Sequence, residues 1–332
     1  MRIGREDVDA LELGATLLGS GGGGDTVWAA ARLRRLLPEG AAIDVVGVAD
    51  LPPETPVVPV GLVGATAVLA EKPPGGDEFG TAVAAVERWT GQRAAALMST
   101  EIGGLNGLLP LVAAHELGLP YVDADLAGRG LPRLDQLSVV AAGRPSAPAA
   151  LAAPGGRVLV LAAGSPSDVE RAVRGFLPVV GGWAVLALAP VPAGELAGCS
   201  VVGSVTAAVE LGRRPGGDVL ATGRVVEVAR RQARGFGRGS VTVRDHGGPL
   251  LRLEMENEYL LALRDGAPVA STPDVLVVLD RRTRAPISCY HVRSGAEVVV
   301  LRLAGPAFWA DPRHLPTVAP RAFGVDCDPV PW

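Results

Sequence analysis

Between residues 101 and 134 the chain reads EIGGLNGLLPLVAAHELGLPYVDADLAGRGLPRL. This places Glu101, Asn106, Asp123, Asp125 and Arg129 in two glycine-punctuated turns around one short apolar helix. Acid, amide and guanidinium groups are the means of proton transfer and of holding a polar ligand. In an open α/β sheet the crevice beyond the carboxyl ends of the strands is where such a ligand usually sits. Asp123 and Asp125 stand two residues apart at the end of LPYVDAD, so a regular strand would aim both side chains at one face. Close carboxylates either share a proton, which raises one pKa, or jointly hold a divalent cation. Each residue taken singly is explained equally well as a helix cap or turn former.

Two further groupings could join that site. Residues 19–25, GSGGGGD, fit Gly-x-Gly-x-x-Gly, but the segment before them is helical in pattern. Asp44 also opens its strand where a ribose-binding acid would end one, so a dinucleotide fold is not expected. Successive glycines do let backbone amides converge ahead of a helix N-terminus. Gly21, Gly22, Gly23, Gly24 and Asp25 therefore read as a nest for a carboxylate or an imide-type oxygen. In LEMENEYLLAL, alternation puts Glu254, Glu256 and Glu258 on one strand face and Met255, Asn257 and Tyr259 on the other. Glu258 is the candidate proton donor there, and Asn257 is an amide that needs partners if buried. Histidine chemistry has weak support. His115 lies in a helix, His246 in a turn and His314 in a loop; His291 alone is near a thiol, Cys289, and a strand would put that pair on one face. The chain has no HExxH, serine elbow or P-loop.

The elements that must position these groups alternate in the first half of the chain. Helices are expected at 6–18, after Asp25, at 78–89 and at 106–117, with strands at 42–48, 93–100, 119–125, near 137–142 and at 157–163; the apolar run 56–70 reads as buried strand or loop. That order implies a layered α/β domain with a largely parallel sheet. Ser165-Pro-Ser-Asp opens a helix reaching toward Leu177 with a capping box, and a strand (183–189) and a helix (203–212) follow. From Gly217 short alternating strands and glycine turns dominate, which suits a β-rich, barrel-like second domain. The expected division is 1–164 and 165–332, with the proline-rich tail 305–332 wrapping rather than forming an element.

Composition bounds the class. The chain has 332 residues, enough for two cores; 48% are hydrophobic and only 4% aromatic, so Ala, Val and Leu must build them. A net charge of −4 without a basic block argues against nucleic acid or an acidic membrane as partner. The arginine-rich stretch 224–238 reads as a solvated strand-and-loop face. No segment is long and unbroken enough to span a bilayer, the N-terminus has acids where a secretory leader would be apolar, and the three cysteines form no CxxC pair. A soluble, cytoplasmic, homo-oligomeric protein is expected.

The motifs GSGGGGD (19–25), GATAVLAEKPPGG (64–76), EIGGLNGLLPL (101–111), LPYVDADLAGRGLP (119–132), ENEYL (256–260), TPDVLVVLD (272–280) and APRAFGVD (319–326) carry a resemblance. In that order the chain resembles, nearly end to end, the family containing S-methyl thiohydantoin desulfurase, often encoded beside hydantoinase or oxoprolinase genes. The resemblance implies an α/β domain followed by a β-barrel-like one. It also implies hydrolytic removal of methanethiol from an S-methylated thiohydantoin, leaving a hydantoin. Departures stand at Ala127 and Leu131, where the family has Met and an aromatic, at Arg133 in place of Glu, and at Tyr290 and Ser294 in place of Glu and an aromatic. The expectation is a hydrolase of a five-membered cyclic amide or thioimidate, with water attacking the ring carbon between two nitrogens. Asp123 or Asp125, with Glu101 beside them, would supply the base and Glu258 the acid; Asn106 and the Gly21–Gly24 amides would be donors, and Arg129 or Arg321 would hold a substrate carboxylate. A divalent metal on Asp123 and Asp125 is a rival within that scheme. The alternative is a non-catalytic, ligand-binding accessory of a hydantoinase-type complex.

Overall fold

The computed structural model describes residues 1–233 and 236–331. Its first half runs β1 (Arg2–Gly4), α1 (Val8–Leu18), α2 (Val27–Leu36), β2 (Ala42–Val46), β3 (Pro56–Gly64), α3 (Glu78–Thr90), β4 (Ala96–Ser99), α4 (Leu109–Leu117), β5 (Tyr121–Val122) and β6 (Ala124–Asp125). Then come α5 (Ser138–Ala141), β7 (Ala149–Ala153), β8 (Arg157–Leu161), α6 (Pro166–Val179), β9 (Trp183–Leu188), β10 (Val191–Pro192), α7 (Ala193–Leu196), β11 (Val201–Val202) and α8 (Ser204–Arg213). The second half is β12 (Asp218–Ala233), β13 (Phe236–Asp245), β14 (Leu250–Glu256), β15 (Glu258–Arg264), β16 (Ala267–Ser271), β17 (Val275–Asp280) and β18 (Glu297–Leu303).

The first sheet is ordered β1-β2-β5-β4-β3-β9-β7-β8. Its centre, β2-β5-β4-β3, is parallel, as expected of helix-connected strands, and the flanks are antiparallel. Alternate residues feed two cores on its two faces: Val58, Val60, Leu62 and Leu97 join α1 to α4 and α8, while Val57, Ala96 and Met98 join α6 and the tail. The second sheet, β16-β15-β14-β13-β12-β18-β17, is antiparallel throughout and curls into a half-barrel, with β15 against β17. Its concave core holds Val241, Leu253, Tyr259, Leu276 and Val300, among others. The opposite face of β17 and β18 presents Val275, Val277, Leu279, Val299 and Leu301 to Leu13 and Leu17 of α1. That apolar seam fastens the two halves and brings the end of α1 to the half-barrel.

β9 sits between β3 and β7 and α8 packs on α1, so the first layer draws on residues out to 213. Two expectations need correction. Residues 138–141 are helical rather than extended; Ser138 accepts no strand partner and instead ties its hydroxyl to the Cys199 carbonyl at 2.7 Å. Strand 119–125 breaks at Asp123 into β5 and β6, and β6 leaves the large sheet to pair with β11. The tail wraps as expected, in three 3-10 turns, and the buried Trp309 indole donates to the Ala127 carbonyl at 2.8 Å.

Candidate functional site

The glycine loop is clamped between the two halves. α1 stops at Leu18, and Ser20, with φ of 52°, turns its hydroxyl onto the carbonyls of Tyr259 (3.1 Å) and Leu276 (2.9 Å). The Tyr259 amide donates to the Ser20 carbonyl and the Cys289 amide to that of Gly21. On the opposite side Leu105 donates to the Gly23 carbonyl, and Gly130 to that of Leu18. The glycines are required by close approach: a Cβ on Gly21 would enter the Tyr259 ring and the Cys289 sulfur, and one on Gly22 the Glu258 carboxyl. One on Gly23 would meet the Gly104 backbone. The loop is only half-buried, and among the described residues the amides of Gly21, Gly23 and Gly24 find no acceptor. They are donors available to a ligand. Asp25 is exposed and accepts from the Val27 amide at the start of α2.

Glu101 follows β4 at the loop's other wall. Ser99 pins this turn, bonding the Glu101 carbonyl (2.6 Å) and the Asn106 carbonyl (2.8 Å). One Glu101 carboxyl oxygen accepts from the Leu131 amide at 2.8 Å. Burial pushes Glu101 up to about 8; the Leu131 amide opposes this, and the charge of Asp125 adds to it. Asn106 spends its amide group on Leu62, accepting at 2.7 Å and donating at 3.0 Å, which caps the end of β3; its remaining polarity faces Glu101. Asp125 is fully buried behind Glu101, with Oδ2 accepting from the amides of Ile102, Ala127 and Gly128 and Oδ1 without a partner. Burial outweighs those donors and lifts it to about 6.

Glu258 enters from the half-barrel. It is 5% exposed, it is paired across the hairpin with Glu256, and its Oε2 has no hydrogen-bond partner. Burial, then the nearby charge of Glu101, raises it well above the ordinary carboxyl range, against the pull of Arg129. Arg129 is wholly buried, and its three nitrogens donate to the backbone carbonyls of Gly130 (3.0 Å), Asp274 (2.5 Å) and Tyr259 (3.2 Å). Asn257 forms the hairpin tip at φ 58°; its side-chain oxygen accepts from the Gly237 amide (2.9 Å) and the Tyr290 hydroxyl (3.0 Å). Asn257, Tyr290 and Cys289 line a cavity of about 220 Å³ with Met255, Gly237 and three arginines. The buried Cys289 sulfur lies against Gly21 and Tyr259, and burial and Glu258 push its thiol up.

The structure thus gathers Glu101, Glu258, Asp125, Arg129 and the Gly21–Gly24 loop, and leaves other expected members outside. Asp123 is committed to the fold. Its carboxylate caps α8, accepting from the amides of Val205 (2.8 Å) and Thr206 (3.1 Å) and from the Thr206 hydroxyl. Among the described residues no three His, Cys, Asp or Glu side chains gather to hold a metal. Arg321 is on the surface, paired with Asp326 (2.5 Å) and Asp328 (3.1 Å). His291 lies in a turn, not a strand, and faces Ser288 rather than the Cys289 thiol. Of the residues departing from the family pattern, Tyr290 lines the cavity. Arg133 instead reaches Asp135, Glu256 and the Phe323 ring, and Ser294 bonds the Val226 carbonyl. Ser20, Ser99 and Tyr259 were not anticipated as site residues; a lone serine between glycines was the available signal for the first.

Comparison with known proteins agrees with this architecture. Residues 6–163 match the S-Me-THD-like N-terminal domain and residues 214–332 the S-Me-THD-like C-terminal domain. The chain belongs to the S-Me-THD-like family. A crystal structure of a protein from Chromobacterium violaceum superposes with a TM-score of 0.79 at 24% identity, covering 98% of each chain, and so shares the fold. No curated protein matches. Among the described residues no helix is long and apolar enough to cross a membrane.

Proposed function

We propose that this chain is a hydrolase of a five-membered cyclic amide or thioimidate, S-methyl thiohydantoin being the type substrate, and that Glu101 and Glu258 are its base and acid. One observation carries the reading: Glu258, buried against a glycine loop whose Gly21, Gly23 and Gly24 amides are unspent, comes from one half of the chain and feels the charge of the half-buried Glu101 from the other. The charge of Glu101 raises Glu258, so Glu101 ionises first and Glu258 keeps its proton. Environments that separate two carboxyls in this way assign the acid and the base.

The ring carbon between the two nitrogens is the electrophile. Glu258 gives its proton to the ring nitrogen, water adds to the carbon, and Glu101 takes the proton that water loses. Amides of Gly21, Gly23 and Gly24 stabilise the negative charge that develops on the added oxygen and the departing sulfur as the adduct collapses. Collapse expels methanethiol, its sulfur taking the proton held by Glu101, while the added hydroxyl gives its proton to Glu258; the hydantoin carbonyl forms and both carboxyls return to their starting states. Family membership supports the ring class. Asp125 acts from behind, holding the turns of Ile102 and Gly128 that present Glu101 and Arg129. The test is release of methanethiol from S-methyl thiohydantoin, followed with a thiol reagent. Turnover that E258Q and E101Q both abolish is expected; turnover retained in both would remove the carboxyl mechanism, and none in the wild type with this or a hydantoin would remove the reading.

A further inference from the structure

The cavity of about 220 Å³ adjoins the glycine loop but takes no part in the proton transfers. Two of its lining residues tie it to the loop. The Cys289 amide donates to the Gly21 carbonyl at 2.9 Å, and Asn257 is joined directly to Glu258. A ring seated on the loop amides would therefore carry a substituent toward the cavity. Among the described residues no acid lines it, whereas three arginines do, and their charges are not equally spent. Arg238 is paired with the Glu256 carboxylate and donates to the Phe323 carbonyl at 3.2 Å. Arg230 donates to main-chain carbonyls, twice to that of Cys289 (3.1 and 3.0 Å) and once to that of Val292, which leaves its charge without a counter-ion. Arg231 has no side-chain partner among the described residues. Two uncancelled positive charges beside Met255 and Tyr290 suit an arm that is apolar near the ring and anionic at its end.

Asn257 supplies a further donor. Its side-chain oxygen is spent on the Gly237 amide and the Tyr290 hydroxyl, which fixes the group, and its Nδ2 has no acceptor among the described residues. The two arginines expected from sequence to hold a carboxylate are engaged elsewhere, Arg129 on three main-chain carbonyls and Arg321 on Asp326 and Asp328. We propose that this cavity is the subsite for a ring substituent ending in a carboxylate, with Arg231 its specificity-determining residue and Asn257 the second donor. The kinetic part rests on the hydrolase reading; the binding part does not.

The test compares S-methyl thiohydantoins whose ring carries a carboxymethyl arm or the corresponding carboxamide, an arm of the same shape without charge. Wild type should prefer the carboxylate in kcat/KM by about tenfold or more, the worth of a charge-assisted bond, with the difference residing in KM. R231Q should abolish that preference, and R231K should restore part of it, since lysine keeps the charge but not the paired donors. Space is tested separately at Gly237. A Cβ there would stand 3.4 Å from both the Asn257 Oδ1 and the Tyr290 hydroxyl, an ordinary contact, so a side chain can be added that narrows the cavity. G237V should raise KM for both arms alike and leave their ratio in place. Equal use of the two arms by wild type, an undiminished preference in R231Q, or an unchanged KM in G237V would overturn the proposal. If wild type turns over no ring substrate, the hydrolase reading fails, and calorimetric titration with the hydantoin bearing the carboxymethyl arm decides the subsite. Binding about tenfold tighter to wild type than to R231Q supports it; equal or absent binding overturns it.

Discussion

Asp123 and Glu258 are both acids at element ends, and both read from sequence as members of one site, yet their surroundings are opposite. Asp123 receives two amides and a hydroxyl at the start of α8, which saturates its carboxylate and fixes it to the fold. Glu258 is buried beside Glu101 with one oxygen offered to nothing, and its proton is held far above the ordinary range. Burial and the supply of donors act together: Asp125, wholly buried on three amides, is lifted only to about 6, whereas Glu258, buried without such donors, is raised well above the ordinary range. Glu101, with one amide, lies between these limits.

That contrast can be broken by substitution. The largest effect belongs to E258Q and E101Q, each expected to lower kcat by about 10²–10⁴-fold, the usual worth of a positioned acid or base, with folding retained. D123N, by contrast, should leave kcat unchanged; a loss matching that of E258Q would return Asp123 to the site. The pH–rate profile comes next. Rate should rise with pH as Glu101 ionises near 8 and fall at higher pH as Glu258 loses its proton. E101Q should erase the rising limb.

Stability supplies the smaller tests. Glu101 (about 8) and Asp125 (about 6) both sit above their unfolded values, so the native state binds more protons between those limits. Their contribution is therefore complete below about pH 4 and is lost as pH rises through 6 and then 8. E101Q, permanently neutral, should melt roughly 2–4 °C above wild type at pH 9 and not at pH 4. A constant difference across pH would contradict the assignment. D123A should cost about 0.5–2 kcal/mol by uncapping α8, read by denaturant unfolding.

Much of this was legible before folding was considered. The parallel centre of the first sheet, the β-rich second half and the Ser165 capping box follow from period and punctuation, which local physics sets. Four successive glycines also stood out, and close packing accounts for Gly21, Gly22 and Gly23, where a side chain would enter Tyr259, Glu258 or the Gly104 backbone. What stayed hidden depends on long-range pairing. The break at Asp123 arises because β6 leaves one sheet for β11, and β9 inserts between β3 and β7 although its sequence neighbours give no sign of it. Arg129 and Arg321 look alike in sequence, but one is wholly buried on carbonyls and the other pairs with surface acids; only the packing of the half-barrel distinguishes them. Cys289 and His291 appeared to share a face until the segment proved to be a turn.

The protonation of Glu258 at neutral pH is the most direct point of test. Infrared difference spectra of wild type against E258Q at pH 7 should show a protonated, buried carboxyl in the wild type that the substitution removes, and that persists to a higher pH than the carboxyl removed by E101Q. Glu258 found ionised at pH 7, or titrating below Glu101, would contradict the assignment of acid and base.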